Sequence, residues 1–167
     1  MPRLALTLLV AAPLSIAAVQ SFAAEKLSAQ DETFMREAAQ GGLAEVQDAQ
    51  LAQQKAASAE VKQFAGRMIT DHTKANNDLQ QIAQSKSMTP PPEPSSAERS
   101  EHDKLSKLSG GQFDRQYMQG QVSDHEKDVT LFRKEADSGQ DQQLKSYAQK
   151  YLPVLEEHLQ MAKGIKS

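Results

Sequence analysis

Four prolines fall within five positions of the stretch Ser87–Ser96, SMTPPPEPSS, and no helix can run through it. Each proline removes a backbone donor and clashes with the turn before it. On either side of this break the apolar residues recur every three or four positions, the period of one helix face. The chain must therefore fold as two helical units joined by an extended link. At about 3.1 Å per residue in polyproline geometry, such a link reaches roughly 30 Å, enough to travel the length of a helical bundle.

The spacing predicts four long helices, over about 28–57, 58–86, 112–137 and 141–165. The link 87–111 carries a short charged helix over about 97–108. In the first helix the stripe is Phe34, Ala38, Gly41, Glu45, Ala49, Ala52 and Ala56. Ser28 is its expected N-cap, with Asp31 and Glu32 in the first turn where the helix dipole favours negative charge. Gly41-Gly42 weakens the helix by about 1 kcal/mol per residue relative to alanine, a cost that a close helix–helix approach can offset. In the second helix Val61, Phe64, Ala65, Met68, His72, Ala75, Leu79 and Ile82 share a face. Ser109-Gly110-Gly111 is expected to break the chain before the third helix, whose stripe is Met118, Val122, His125, Val129, Phe132 and Ala136. Asp141 caps the fourth, with Leu144, Ala148, Tyr151, Leu155, His158, Ala162 and Ile165; Pro153 is expected to kink it.

The two halves read as copies of one hairpin. Phe34, Arg36, Gln40, Gly41, Ala44 and Glu45 align without a gap on Phe113, Arg115, Gln119, Gly120, Ser123 and Asp124. Val61–Ala65 likewise resembles Leu144–Ala148.

Residues 1–23 read as an export signal, with Arg3 before an apolar run and the small residues of Ser21-Phe22-Ala23 at a cleavage site. Pro13 breaks that run and a polar chain follows, so no membrane anchor of about 20 apolar residues is expected in the mature chain. Residues 24–167 suit one domain, placed by this signal in a bacterial periplasm. With 19 basic against 22 acidic residues the net charge is −3, which disfavours nucleic acid as a partner. The chain has no cysteine, so packing rather than disulfides must hold it together. A protein partner or a second copy of the chain is compatible with these features.

Each long helix carries one polar residue on its apolar face: Glu45, His72, His125 and His158. Counted from the nearest turn at 1.5 Å per residue, all four fall near mid-bundle. Three imidazoles and a carboxylate can bind one divalent transition metal such as zinc, iron, copper or manganese. The same groups can instead hydrogen-bond one another and fix helix register without an ion, the core of a structural or stress-related interaction protein. Asp71, Asp124 and Glu157 each precede one of the histidines and are turned about 100° away, which suits them to contact ligands on neighbouring helices. Asp124, aligned with Glu45 by the repeat, is an alternate inward group. His102 lies on no stripe and reads as surface. Met68 and Met161 read as core filling, and Tyr117, Tyr147 and Tyr151 as packing with their hydroxyls at the core edge.

Catalytic signals are weak. No nucleophile elbow, phosphate loop or dinucleotide fingerprint occurs. The Glu-x-x-His pairs of carboxylate-bridged di-iron bundles are also missing, because positions 69 and 155 hold Ile and Leu. A metal-dependent oxidoreductase is therefore disfavoured.

Three runs carry a family resemblance: Phe64-Ala65-x-x-Met68-x-x-Asp71-His72; Leu108-Ser109-Gly110 with Phe113-Asp114-x-x-Tyr117; and Leu152-Pro153-x-Leu155-x-x-His158-Leu159. Together they resemble the exported bacterial proteins often labelled predicted outer membrane proteins, which carry domain of unknown function 4142. The resemblance implies an all-α, ferritin-like four-helix bundle with a long Pro-rich connection between the second and third long helices. It implies no particular activity or metal. No alternating strand pattern of a membrane barrel accompanies it.

Overall fold

The computed structural model describes residues 26–165, and the expected export signal lies outside them. Five helices follow in order: α1 Ala29–Lys55, α2 Ala59–Ser85, α3 Ser96–Leu105, α4 Gly110–Ser138 and α5 Gln142–Gly164. The four long ones match the periodic stretches. Helix α4 starts two residues earlier than expected, because Gly110 and Gly111 join its first turn instead of preceding it. Helix α5 is continuous through Pro153, which lies on an exposed face.

Side-chain pairs fix the helix directions. Gln30 near the start of α1 donates to Glu135 near the end of α4, while Asp114 at the start of α4 meets the end of α1. Arg67 reaches Glu157, and Ser85 reaches Gln143, so α2 and α5 are antiparallel. Since α1–α2 and α4–α5 are hairpins, α2 and α4 run parallel. The proline-rich link must therefore carry the chain back along the bundle, the single long crossover of ferritin-like topology.

Helix α3 braces that crossover. Ser95 and Glu98 form a capping box at its start. His102, expected on the surface, instead places Nδ1 2.5 Å from Asp48 Oδ1 on α1. Lys55 of α1 donates to the carbonyls of Ser106 and Leu108 just beyond α3.

Each hairpin also caps the turn of the other. The buried Asp114 carboxylate accepts from the backbone N–H groups of Ala57 and Ser58 at 3.0 and 2.8 Å. Buried Asp31 does the same for Gln140 at 3.0 Å, in the turn between α4 and α5. Two aspartates thus satisfy turn donors that packing would otherwise strand from water.

The core is in two parts. One holds Phe34, Leu79, Phe132, Leu144, Tyr147 and Leu155, with the smaller residues between them. The other, at the opposite end, holds Val61, Phe64, Met68, Phe113, Tyr117 and Met118. Phe34 and Phe113, equivalent in the sequence repeat, sit in opposite clusters, as antiparallel copies of one hairpin require. Gly42 lets α1 approach α2, since a Cβ there would collide with the Asn76 side chain.

Candidate metal centre

Between the two apolar clusters lies a polar layer of Glu45 from α1, His72 from α2, Gln121 and His125 from α4, and His158 from α5, every one of them buried. The stripe on each helix sets this height. Pairwise, the three imidazole centroids are 5.4–5.6 Å apart. One ring nitrogen from each histidine lies within 4.8 Å of the other two.

Hydrogen bonds assign two of the tautomers. His125 Nδ1 is 2.9 Å from the Gln121 carbonyl, which can only accept, so Nδ1 carries the proton and Nε2 the lone pair. His158 Nε2 is 2.9 Å from Asp71 Oδ2, so Nε2 donates and Nδ1 is left as the acceptor. His72 Nε2, His125 Nε2 and His158 Nδ1 are all buried and without a hydrogen-bond partner. Three unpaired nitrogens in one layer are an unusual cost for a native core.

Electrostatics keep all three rings neutral near pH 7. Burial pushes His72 well below the ordinary histidine value, and His125 and His158 add to the shift. Burial also brings His125 down to about 4, with His158 contributing. His158 is lowered by burial as well, against the opposing pull of the Asp71 hydrogen bond. Their lone pairs are therefore free for a metal without competition from protons.

Two of the carboxylates, Glu45 and Asp124, do not join the histidines as expected. Glu45 is not one of the converging groups. Gln121 Nε2 donates to its Oε2 at 2.6 Å, and its Oε1 is 3.7 Å from the protonated Nδ1 edge of His125. Burial, then the nearby Asp128, raise the Glu45 carboxyl well above its usual range. Asp124 faces outward, with its side chain 51 % exposed and paired to Lys127, so His125 alone is the inward group there. Asp71 reaches His158 across the helix boundary and is held in turn by Arg67 at 3.2 Å. Glu157 stands one step further out, accepting two hydrogen bonds from the same Arg67 guanidinium.

Three residues join the site that the stripes did not reveal. Gln121 and Asp128 lie four before and three after His125, a spacing that places them on its face of α4. Arg67 precedes Asp71 by one turn. Asp128 borders the small cavity beside His72 and His158 and also a larger one of about 300 Å³ between α1, α3 and α4. Glu45, Asp48, Glu98 and Asp124 wall that larger cavity against a single Lys127. Burial and the neighbouring Asp124 and Glu98 push the Asp128 carboxyl up to about 7.

Comparison with solved structures places this architecture among proteins of a second domain of unknown function, DUF305. A DUF305 fragment from Deinococcus radiodurans superposes with a TM-score of 0.72 over 83 % of this chain and 95 % of its own, at 16 % identity. A presumed secreted DUF305 protein from Streptomyces coelicolor gives 0.69 over 80 % and 88 %, at 15 % identity. At that identity the likeness concerns the fold, a helical ferritin-like bundle. No curated protein matches the sequence. The family model for the domain of unknown function DUF4142 matches residues 17–165, and the chain belongs to that family.

Proposed function

We propose that this protein is an exported, non-catalytic bundle that binds one divalent transition-metal ion through His72, His125 and His158. The observation that carries the reading is a trio of buried histidines, each offering a ring nitrogen within 4.8 Å of the other two and each with one buried ring nitrogen that has no hydrogen-bond partner. A self-contained network would pair such nitrogens with each other or with Glu45, and Glu45 is already engaged by Gln121. Neutral imidazoles suit zinc, copper, iron or manganese far better than calcium or magnesium. Bonds near 2 Å require the three rings to draw inward. The acidic cavity beside the layer favours the approach of cations. Export to a periplasm accords with the expected signal in residues 1–23. Among the described residues no helix is long and apolar enough to cross a membrane.

Metal analysis of protein purified without a histidine tag tests the proposal. The expected result is one ion per chain and a rise in Tm with one of the four metals. A ligand at a hundred times its Kd stabilises by about 2.7 kcal/mol, several degrees for a domain of this size. Metal-free protein that gains no stability from any of the four would overturn it.

A further inference from the structure

The three histidines do not close the site. Beside them is a cavity of about 20 Å³, bordered by His72 and His158, by the carboxylates of Asp71 and Asp128, and by Ala38 and Ala75. A space of that size holds one water molecule and no larger ligand. Structural zinc sites take four protein ligands, whereas sites with three keep a position for an exchangeable one. Here the carboxylate of the layer, Glu45, is turned to Gln121, at the protonated edge of His125. The cavity borders two of the three histidines but not Glu45, and Asp128 in its wall offers a hydrogen-bond acceptor.

We propose that the ion bound by His72, His125 and His158 carries one exchangeable, water-sized ligand, seated in this cavity and hydrogen-bonded to Asp128. Water or hydroxide fills this description: it donates to a carboxylate, presents a lone pair to the metal, and fits the volume. The flanking Asp71 carboxylate repels small anions that cannot donate a hydrogen bond. The centre is therefore open to exchange with solvent rather than a closed structural rivet. The inference rests on the metal-binding reading above.

The test loads the mature chain with copper(II) and compares its electron–nuclear double resonance spectrum in ordinary water and in water enriched in oxygen-17. One directly coordinated oxygen-17 is expected. Ala75→Val fills the cavity from α2 and Ala38→Val fills it from α1. Either is expected to keep one copper per chain and to lose the oxygen-17 coupling. Metal-loaded wild type without that coupling would overturn the inference while leaving metal binding intact. A coupling unchanged in the folded filling variants would also overturn it, since the water would then lie elsewhere. If no metal binds, both this inference and the reading beneath it fall.

Discussion

Asp71 Oδ2 lies 2.9 Å from His158 Nε2, so a carboxylate on α2 holds an imidazole on α5. Arg67, one turn before Asp71, donates to the same oxygen at 3.2 Å. The chain Arg67–Asp71–His158 orients the ring and leaves Nδ1 as its only free donor of electrons. Outer-shell carboxylates of this kind are worth roughly 10–100-fold in metal affinity. Asp71→Asn should weaken binding by that factor while leaving circular dichroism unchanged. Competition against a chelator of known affinity measures it; equal affinity of variant and wild type would remove Asp71 from the site.

His72 is the histidine whose loss the fold should tolerate. Its Nε2 is buried without a partner, and the ring packs against two other imidazoles. Replacing an unsatisfied polar group by an apolar one of similar size is neutral or stabilising. His72→Leu should therefore lose the ion entirely, yet show a metal-free Tm equal to or above that of wild type. A metal-free Tm several degrees lower would mean that the ring makes a hydrogen bond essential to the core.

Most of this architecture was legible in the sequence because helical periodicity is a local property. The four stripes, the proline break and the height of the three histidines follow from spacing alone. What spacing cannot give is which neighbour captures a side chain. Glu45 lies on its stripe as expected, but Gln121, on another helix, takes its carboxylate away from the histidines. Asp124 aligns with Glu45 in the repeat and still faces solvent, because α4 turns the adjacent His125 inward. His102 shows the same limit from the other side. Nothing on its own helix marks it, and only the docking of α3 on α1 brings it to Asp48. Gln121 and Asp128 carry a signal of the same kind, since four before and three after His125 they project onto its face of α4.

Acidity at one end of the bundle should set a pH dependence separate from the histidines. Burial, and the adjacent Asp31, raise the Glu135 carboxyl to about 7. Its Oε1 has no partner and the side chain is buried. A carboxyl whose pKa is higher in the folded than in the unfolded chain favours folding below the unfolded value, near 4.5. That contribution fades as the pH rises through 7. Wild type should lose on the order of 2 kcal/mol from this group between pH 4.5 and pH 8. The histidines act oppositely. Their depressed values favour folding above about 6.5 and lose that contribution as the pH falls. Glu135→Gln isolates the first effect: urea unfolding across this range should show the variant gaining on wild type as the pH increases. A constant difference between the two would mean that Glu135 titrates normally.

Ser87 offers the simplest gain in stability. It follows α2 with a φ of 56°, in the left-handed region, and is the only non-glycine residue there among those described. Met88 N donates to Ala83 O at 2.9 Å and Ser87 N to Gln84 O at 3.0 Å, the paired bonds of a Schellman cap. Glycine is the usual residue at this position because it has no Cβ to meet the preceding backbone. The serine side chain is exposed, so its removal forfeits no packing. Relief of the left-handed strain, about 1 kcal/mol, outweighs the greater entropy that glycine brings to the unfolded chain. Ser87→Gly should raise stability by a few tenths of a kcal/mol up to about 1 kcal/mol, read from the midpoint of urea unfolding at unchanged m-value. Because the cap starts the crossover from α2 toward α3, Ser87→Val should move the midpoint the other way, a β-branched residue being the least tolerant of that conformation.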